Sequence, residues 1–147
     1  MPEAVARPAT RPISIVRHPI YSMLLPVPVV CFVGALITDL SYLCSGGNFF
    51  WLDFSNWLLV AGVVFGVVAA IVLLVDLIRS RAMRSGYGWA HSLFLLAALL
   101  VGLLNMFVHN RDGWTAVAGT GLILSIAGAV LILIAGWLHR PALEVVR

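Results

Sequence analysis

Apolar residues run through most of this chain in four long stretches, separated by short polar or glycine-rich breaks. The runs cover about 20–44, 57–78, 89–108 and 114–138. Each approaches or exceeds the ~20 apolar residues that a helix needs to cross a ~30 Å hydrocarbon core. Within a run, alternation at period 2 is absent and small residues recur at helical spacing, as in Gly62-xxx-Gly66-xxx-Ala70. The pattern predicts four membrane-spanning helices. Tryptophans at 57, 89, 114 and 137 mark run ends, where interfacial anchors belong. Ser45-Gly-Gly-Asn48 breaks the chain after the first run. The aromatics between Phe49 and Trp57 then predict a short amphipathic element at the surface. After the third run, His109–Gly113 reads as a tight turn.

Composition strengthens this picture. The chain has 147 residues, 62% of them hydrophobic and 10% charged, whereas soluble domains carry roughly a quarter charged residues. Mean hydropathy is +1.06. The formal charge of +3 comes from nine arginines, no lysine and six Asp and Glu residues. These arginines lie at run ends rather than on a basic face interleaved with aromatics, so no nucleic-acid partner is expected. Arg7, Arg11, Arg17, Arg79, Arg81, Arg84, Arg140 and Arg147 fall on one side of a four-span arrangement, and only Arg111 on the other. The positive-inside rule then places both termini in the cytoplasm. Short connections favour an up-down antiparallel order. The expected architecture is one domain over residues 1–147: an all-α, integral membrane four-helix bundle, N-in and C-in, with 1–19 as a cytoplasmic tail. The expected location is the bacterial inner membrane. Cys31 and Cys44 stand thirteen residues apart on one helix, about 20 Å, too far for a disulfide.

Polar residues inside apolar runs are costly and mark candidate sites. They sort by depth. An inner rim holds His18, Tyr21, Asp76 and His91, whose imidazoles and carboxylate suit a metal, a haem or a proton relay. An outer rim holds Asp39, Asn105 and His109, suited to polar contacts between helices. On the third run His91, Leu95, Ala98, Gly102, Asn105 and His109 share one stripe at 100° per residue. That stripe belongs inside the bundle, and Asp39 is expected to meet Asn105 across it. Gly62, Gly66, Ala70, Ala98 and Gly102 are the expected close-packing positions. Pro26 and Pro28 remove backbone donors and are expected to kink the first helix. Phosphate loops and nucleophile or zinc-protease motifs are absent.

The stretch Arg17–Leu40 resembles the opening helix of a family of small bacterial four-span membrane proteins of unknown function. Their opening reads His-Pro-Leu-His-Pro-Met-Leu-Val-x-Phe-Pro-Ile and closes on Gly-Ala-Leu-x-x-Asp-Leu. His18, Pro19, Met23, Leu24, Pro28, Gly34, Ala35, Leu36, Asp39 and Leu40 match it. Tyr21 stands where that pattern has its second histidine, and Ser22 where it has the next proline. The resemblance implies the four-span fold and no particular activity. The functional expectation is a non-enzymatic module that binds a partner subunit or a lipid-like ligand, in the lipid bilayer, with a homo-oligomer or a membrane partner subunit as the expected assembly. The alternative is a haem b or metal-binding redox module built on the inner rim.

Overall fold

A computed structural model of the chain describes residues 13–16, 19–79, 86–112, 117–139 and 142–145. His18 and most of the 1–19 tail lie outside these. Four helices long and apolar enough to cross a membrane run over Pro19–Cys44, Phe49–Arg79, Gly88–Arg111 and Val117–Leu138. The first is divided into α1 (Pro19–Leu24) and α2 (Pro26–Cys44), with Leu25 between them. The prolines account for the division. Pro26 and Pro28 have no N–H to give to the carbonyls of Ser22 and Leu24, so the ladder is held by Leu25 N–H to the Tyr21 carbonyl at 3.0 Å.

Gly46 and Gly47 turn the chain out of α2 with φ of 70° and 91°, a region costly for any side chain. Helix α3 (Phe49–Arg79) starts immediately afterwards. The separate aromatic element expected at Phe49–Trp57 is therefore the beginning of α3 itself. No glycine or proline interrupts 49–61, and Asn48 Oδ1 accepts the Phe50 N–H at 3.0 Å, serving an orphan donor of the first turn. Helix α4 (Gly86–Asp112) likewise runs through the expected turn at His109, because the first breaker is Gly113. The fourth span opens with a π turn over Val117–Gly121, in which Gly119 is non-helical, and continues as α5 (Leu122–Leu138). Outside the spans, Ile13–Val16 (β1) and Ala142–Val145 (β2) form a two-stranded antiparallel ladder, Ile13 opposite Val145 and Val16 opposite Ala142.

Helix α2 packs on α3, α3 on α4, α4 on α5, and α5 closes on α2. The middle of this bundle is small-against-large. Phe32 is buried between Gly62 of α3 and Gly102 of α4, whose missing side chains leave room for its ring. Gly66 faces Leu99 and Pro28. The Gly62–Gly66 stripe is thus spent inside the chain. Ala98 is fully buried, and Ala70 half-buried. Large apolar side chains such as Ile71, Leu100, Ile123 and Leu133 point outward, as a helix surrounded by lipid requires.

Candidate functional site

Two polar clusters sit at opposite ends of the Phe32 layer. The larger takes one or more side chains from every span. Asp39 of α2 is fully buried, as are Ser55 of α3 and Asn105 of α4; His109 of α4 is 4% exposed and Ser125 of α5 3%. Ser55 Oγ donates to Asp39 Oδ1 at 2.5 Å, with the Ala35 carbonyl 3.3 Å away. Ser125 Oγ donates to Asp39 Oδ2. His109 Nε2–H donates to Asp39 Oδ1 at 3.1 Å. Asn105 lies between His109 and Ser125. Its carboxamide suits its neighbours with Nδ2 toward His109 Nδ1 (3.0 Å) and the Gly121 carbonyl (3.2 Å), and Oδ1 toward Ser125 Oγ (2.7 Å) and the Ser125 N–H (3.3 Å).

Local sequence explains each placement. Asp39 follows Pro28, Phe32 and Ala35 at helical spacing on the buried face of α2. Thr38 turns its hydroxyl back to the Gly34 and Ala35 carbonyls, 3.1 and 2.9 Å away, so it leaves Asp39 to the other helices. Asn105 and His109 end the α4 stripe His91, Leu95, Ala98, Gly102, all buried. The π turn brings Gly121, with its carbonyl, against Asn105.

The arrangement is not a nucleophilic relay. In such a relay an imidazole nitrogen takes a proton from a serine hydroxyl. Here the carboxylate, not the imidazole, stands between the serines and His109. His109 Nε2 faces Asp39 and Nδ1 faces Asn105, so neither nitrogen meets a hydroxyl. Beside His109 the bundle opens into a cleft of about 210 Å³ lined by Phe49, Leu52, Asp53, Asn56 and His109. Asn56 and Asn110 exchange hydrogen bonds at 3.2 Å next to it.

The second cluster joins Tyr21, His91 and His139. The Tyr21 hydroxyl donates to His91 Nε2, and His91 Nδ1–H donates to the Ala135 carbonyl at 2.7 Å. Ser22 Oγ and His139 Nε2 are 3.1 Å apart. The three rings stand 5.1–5.5 Å apart between centroids, Tyr21 edge-on to both imidazoles. With both nitrogens of His91 engaged, neither is directed at a haem iron or a metal. Among the described residues no three His, Cys, Asp or Glu are grouped as metal ligands. Asp76 is half-buried near the end of α3. Of the inner-rim candidates the structure brings together Tyr21 and His91, while His18 lies outside the described residues.

The outer-rim candidates Asp39, Asn105 and His109 come together. Sequence reasoning missed Ser55, Ser125 and His139. Ser55 was hidden among aromatics, yet it shares a stripe with Leu52, Leu59 and Gly62, all buried. Ser125 shares one with Gly121, Gly128, Ala129 and Ile132. A polar residue on a small-residue stripe was the available signal.

Comparison with curated proteins returns no match, and neither does comparison with solved structures. A model of the family described as Predicted membrane protein (DUF2231) matches residues 17–140, which includes all four spans and both clusters. The chain therefore belongs to that predicted membrane protein family.

Proposed function

We propose that this protein is a non-enzymatic four-span module of the bacterial inner membrane that binds a lipid-like ligand between its second and third spans. The bundle is up-and-down with both termini cytoplasmic. Supporting the order, the start of the first span meets the start of the third and the end of the fourth through Tyr21, His91 and Ala135. Supporting the orientation, eight of nine arginines fall on the side of the termini. The cleft beside His109 then faces outward.

One observation carries the reading. A groove of about 310 Å³ lies between α3 and α4, lined by side chains such as Val63, Val67, Ala70, Leu96, Leu100 and Leu103. On α3 its residues continue the face that lines the cleft. Phe49, Asp53, Asn56, Val63, Val67, Ala70, Ile71 and Leu74 fall within an arc of roughly 100° at 3.6 residues per turn. A ligand with a polar head in the cleft reaches the groove about 10 Å further along the helix, seven residues from Asn56 to Val63. Polar at one end and apolar at depth is the pattern of a lipid. Phe32 and Leu99 of this chain fill the space at Gly62 and Gly66, so that stripe is not open to a partner helix, which favours a lipid over a partner subunit or a second copy.

The test is native mass spectrometry of protein extracted in mild detergent. Wild type is expected to retain a defined lipid, and Val67→Trp, which fills the groove, to lose it. Equal retention by both, or a wild type free of lipid but bound to another protein, would overturn the proposal.

A further inference from the structure

The cleft beside His109 is polar in a one-sided way. Its lining is Phe49, Leu52, Asp53, Asn56 and His109. His109 brings its ring but no free nitrogen, because Nε2 faces Asp39 and Nδ1 faces Asn105. Phe49 and Leu52 are apolar. The polar side-chain atoms left to a ligand therefore belong to Asp53 and Asn56. Among the described residues Asp53 makes no hydrogen bond or ion pair. Asn56 Oδ1 accepts an Asn110 N–H at 3.2 Å and keeps a second lone pair; its Nδ2 gives one N–H to Asn110 Oδ1 and keeps the other.

The cleft thus offers a negative charge and no net positive one. His109 has Asp39 as its own partner. Arg111 follows two residues later, but that step turns it 200° around α4, and it is not in the lining. Asp53 and Asn56 are three residues apart on α3, hence neighbours on the helix surface, so one small cation can touch both. The Phe49 ring beside them can add cation–π attraction. At about 210 Å³ the cleft is smaller than the ~300–1,000 Å³ of sites for drug-sized ligands and suits a small head. Its depth is right for a lipid. Asp53 lies one turn before the interfacial Trp57. Val63 and Val67 of the groove follow about 9 and 15 Å below Trp57, within the half of the ~30 Å core that one leaflet fills.

We propose that the cleft selects the lipid by its head: Asp53 and Asn56 receive a primary ammonium, so the groove takes an amine-headed phospholipid in preference to an anionic one. This selectivity rests on the reading of the groove as a lipid site and names the class of lipid. The ammonium donates to the Asp53 carboxylate and to the free lone pair of Asn56 Oδ1, the first a charge-assisted hydrogen bond. The remaining Asn56 N–H is left for a phosphate oxygen of the same head. A head that carries only phosphate and hydroxyls brings a negative charge toward Asp53 with nothing in the lining to neutralise it, and such like-charge juxtaposition suppresses binding.

The experiment places the full chain in nanodiscs of phosphatidylethanolamine and phosphatidylglycerol with identical acyl chains, mixed in equal amounts. The protein is then released into mild detergent for native mass spectrometry. Wild type is expected to retain phosphatidylethanolamine about fivefold over phosphatidylglycerol, the scale of an exposed ion pair. Asp53→Asn is expected still to retain lipid, with the two heads near parity, and Asp53→Lys to favour phosphatidylglycerol. Asp53 is exposed, so neither change disturbs the packing of the bundle. Equal retention of the two heads by wild type, a preference for phosphatidylglycerol, or a preference that Asp53→Asn leaves unchanged would overturn the selectivity and leave the groove as a lipid site. A wild type that retains neither lipid would overturn both.

Discussion

Replacing Gly102 with alanine tests the packing that separates the two polar clusters. The Phe32 ring has no free side. A methyl group at Gly102 would meet its Cζ in direct overlap and its Cε1 and Cε2 at 3.0 and 3.1 Å. Across the ring, the space left by Gly62 is already within 2.6 Å of Phe32 Cε1. Carbon atoms rest at about 3.5–4.0 Å, so the ring would have to move by about 1 Å toward a helix that cannot receive it. Overpacking of this kind costs about 1–3 kcal/mol. The gain from replacing a helical glycine, about 0.5–1 kcal/mol, offsets part of it. The net expectation is a loss of about 1–2 kcal/mol, a factor of roughly 5–30 in the folded-to-unfolded ratio. Gly128→Ala is the control. Its methyl would find Val101 at 3.7 Å and Phe32 at 4.0 Å, ordinary contact distances, so stability should hold or rise. Reversible unfolding in mixed micelles, followed by tryptophan fluorescence, measures both. Phe32→Leu on the Gly102→Ala background should recover about 1 kcal/mol relative to the sum of the single changes. A Gly102→Ala protein as stable as the Gly128→Ala control, or one that Phe32→Leu fails to rescue, would show that Phe32 is not tightly held between Gly62 and Gly102.

Three further outcomes follow from named contacts. Asp39→Leu strands the donors of Ser55, Ser125 and His109; at ~0.6–1.7 kcal/mol for each such bond within a membrane, the loss should be roughly 2–5 kcal/mol. Adding Ser55→Ala to that background should cost little more, and full additivity in the same unfolding assay would show the two groups to be uncoupled. Tyr21→Phe removes the hydroxyl from His91 Nε2 and should cost about 1 kcal/mol, with the greater part of that cost absent when His91 is already leucine. Cys44 is exposed at the end of α2, whereas Cys31 is buried. An impermeant maleimide added to intact spheroplasts should label Cys44, and labelling only after the membrane is opened would invert the proposed orientation.

Much of the fold is legible because hydrocarbon imposes one rule on every span: backbone polar groups must be satisfied within the helix. Long apolar runs therefore declare helices, and Pro26 and Pro28 declare the break at Leu25. The buried stripe of α4 was readable for the same reason that Asp39, Asn105 and His109 were. A polar residue deep in such a run has few tolerable positions besides the bundle interior. Element ends were harder to read. Aromatics at Phe49–Trp57 serve equally a surface element and the first turns of a span, and only packing distinguishes the two. His109 and Asn110 look like turn residues, yet with α2 and α3 to bond to they extend the helix. Ser55 and Ser125 were illegible for a different reason. A lone serine in a membrane helix can satisfy itself on its own backbone, as Ser41 does on the Ile37 carbonyl. Only the location of Asp39 shows that these two do otherwise.

Whether the α3–α4 groove holds a lipid can be read by photocrosslinking in native membranes. A photoreactive amino acid at Val67, in the groove, is compared with one at Ile126 on α5; both positions are 45% exposed. A single defined lipid adduct is expected from Val67 and a spread of bulk lipids from Ile126. A protein adduct from Val67, or the same lipid spread from both positions, would contradict it.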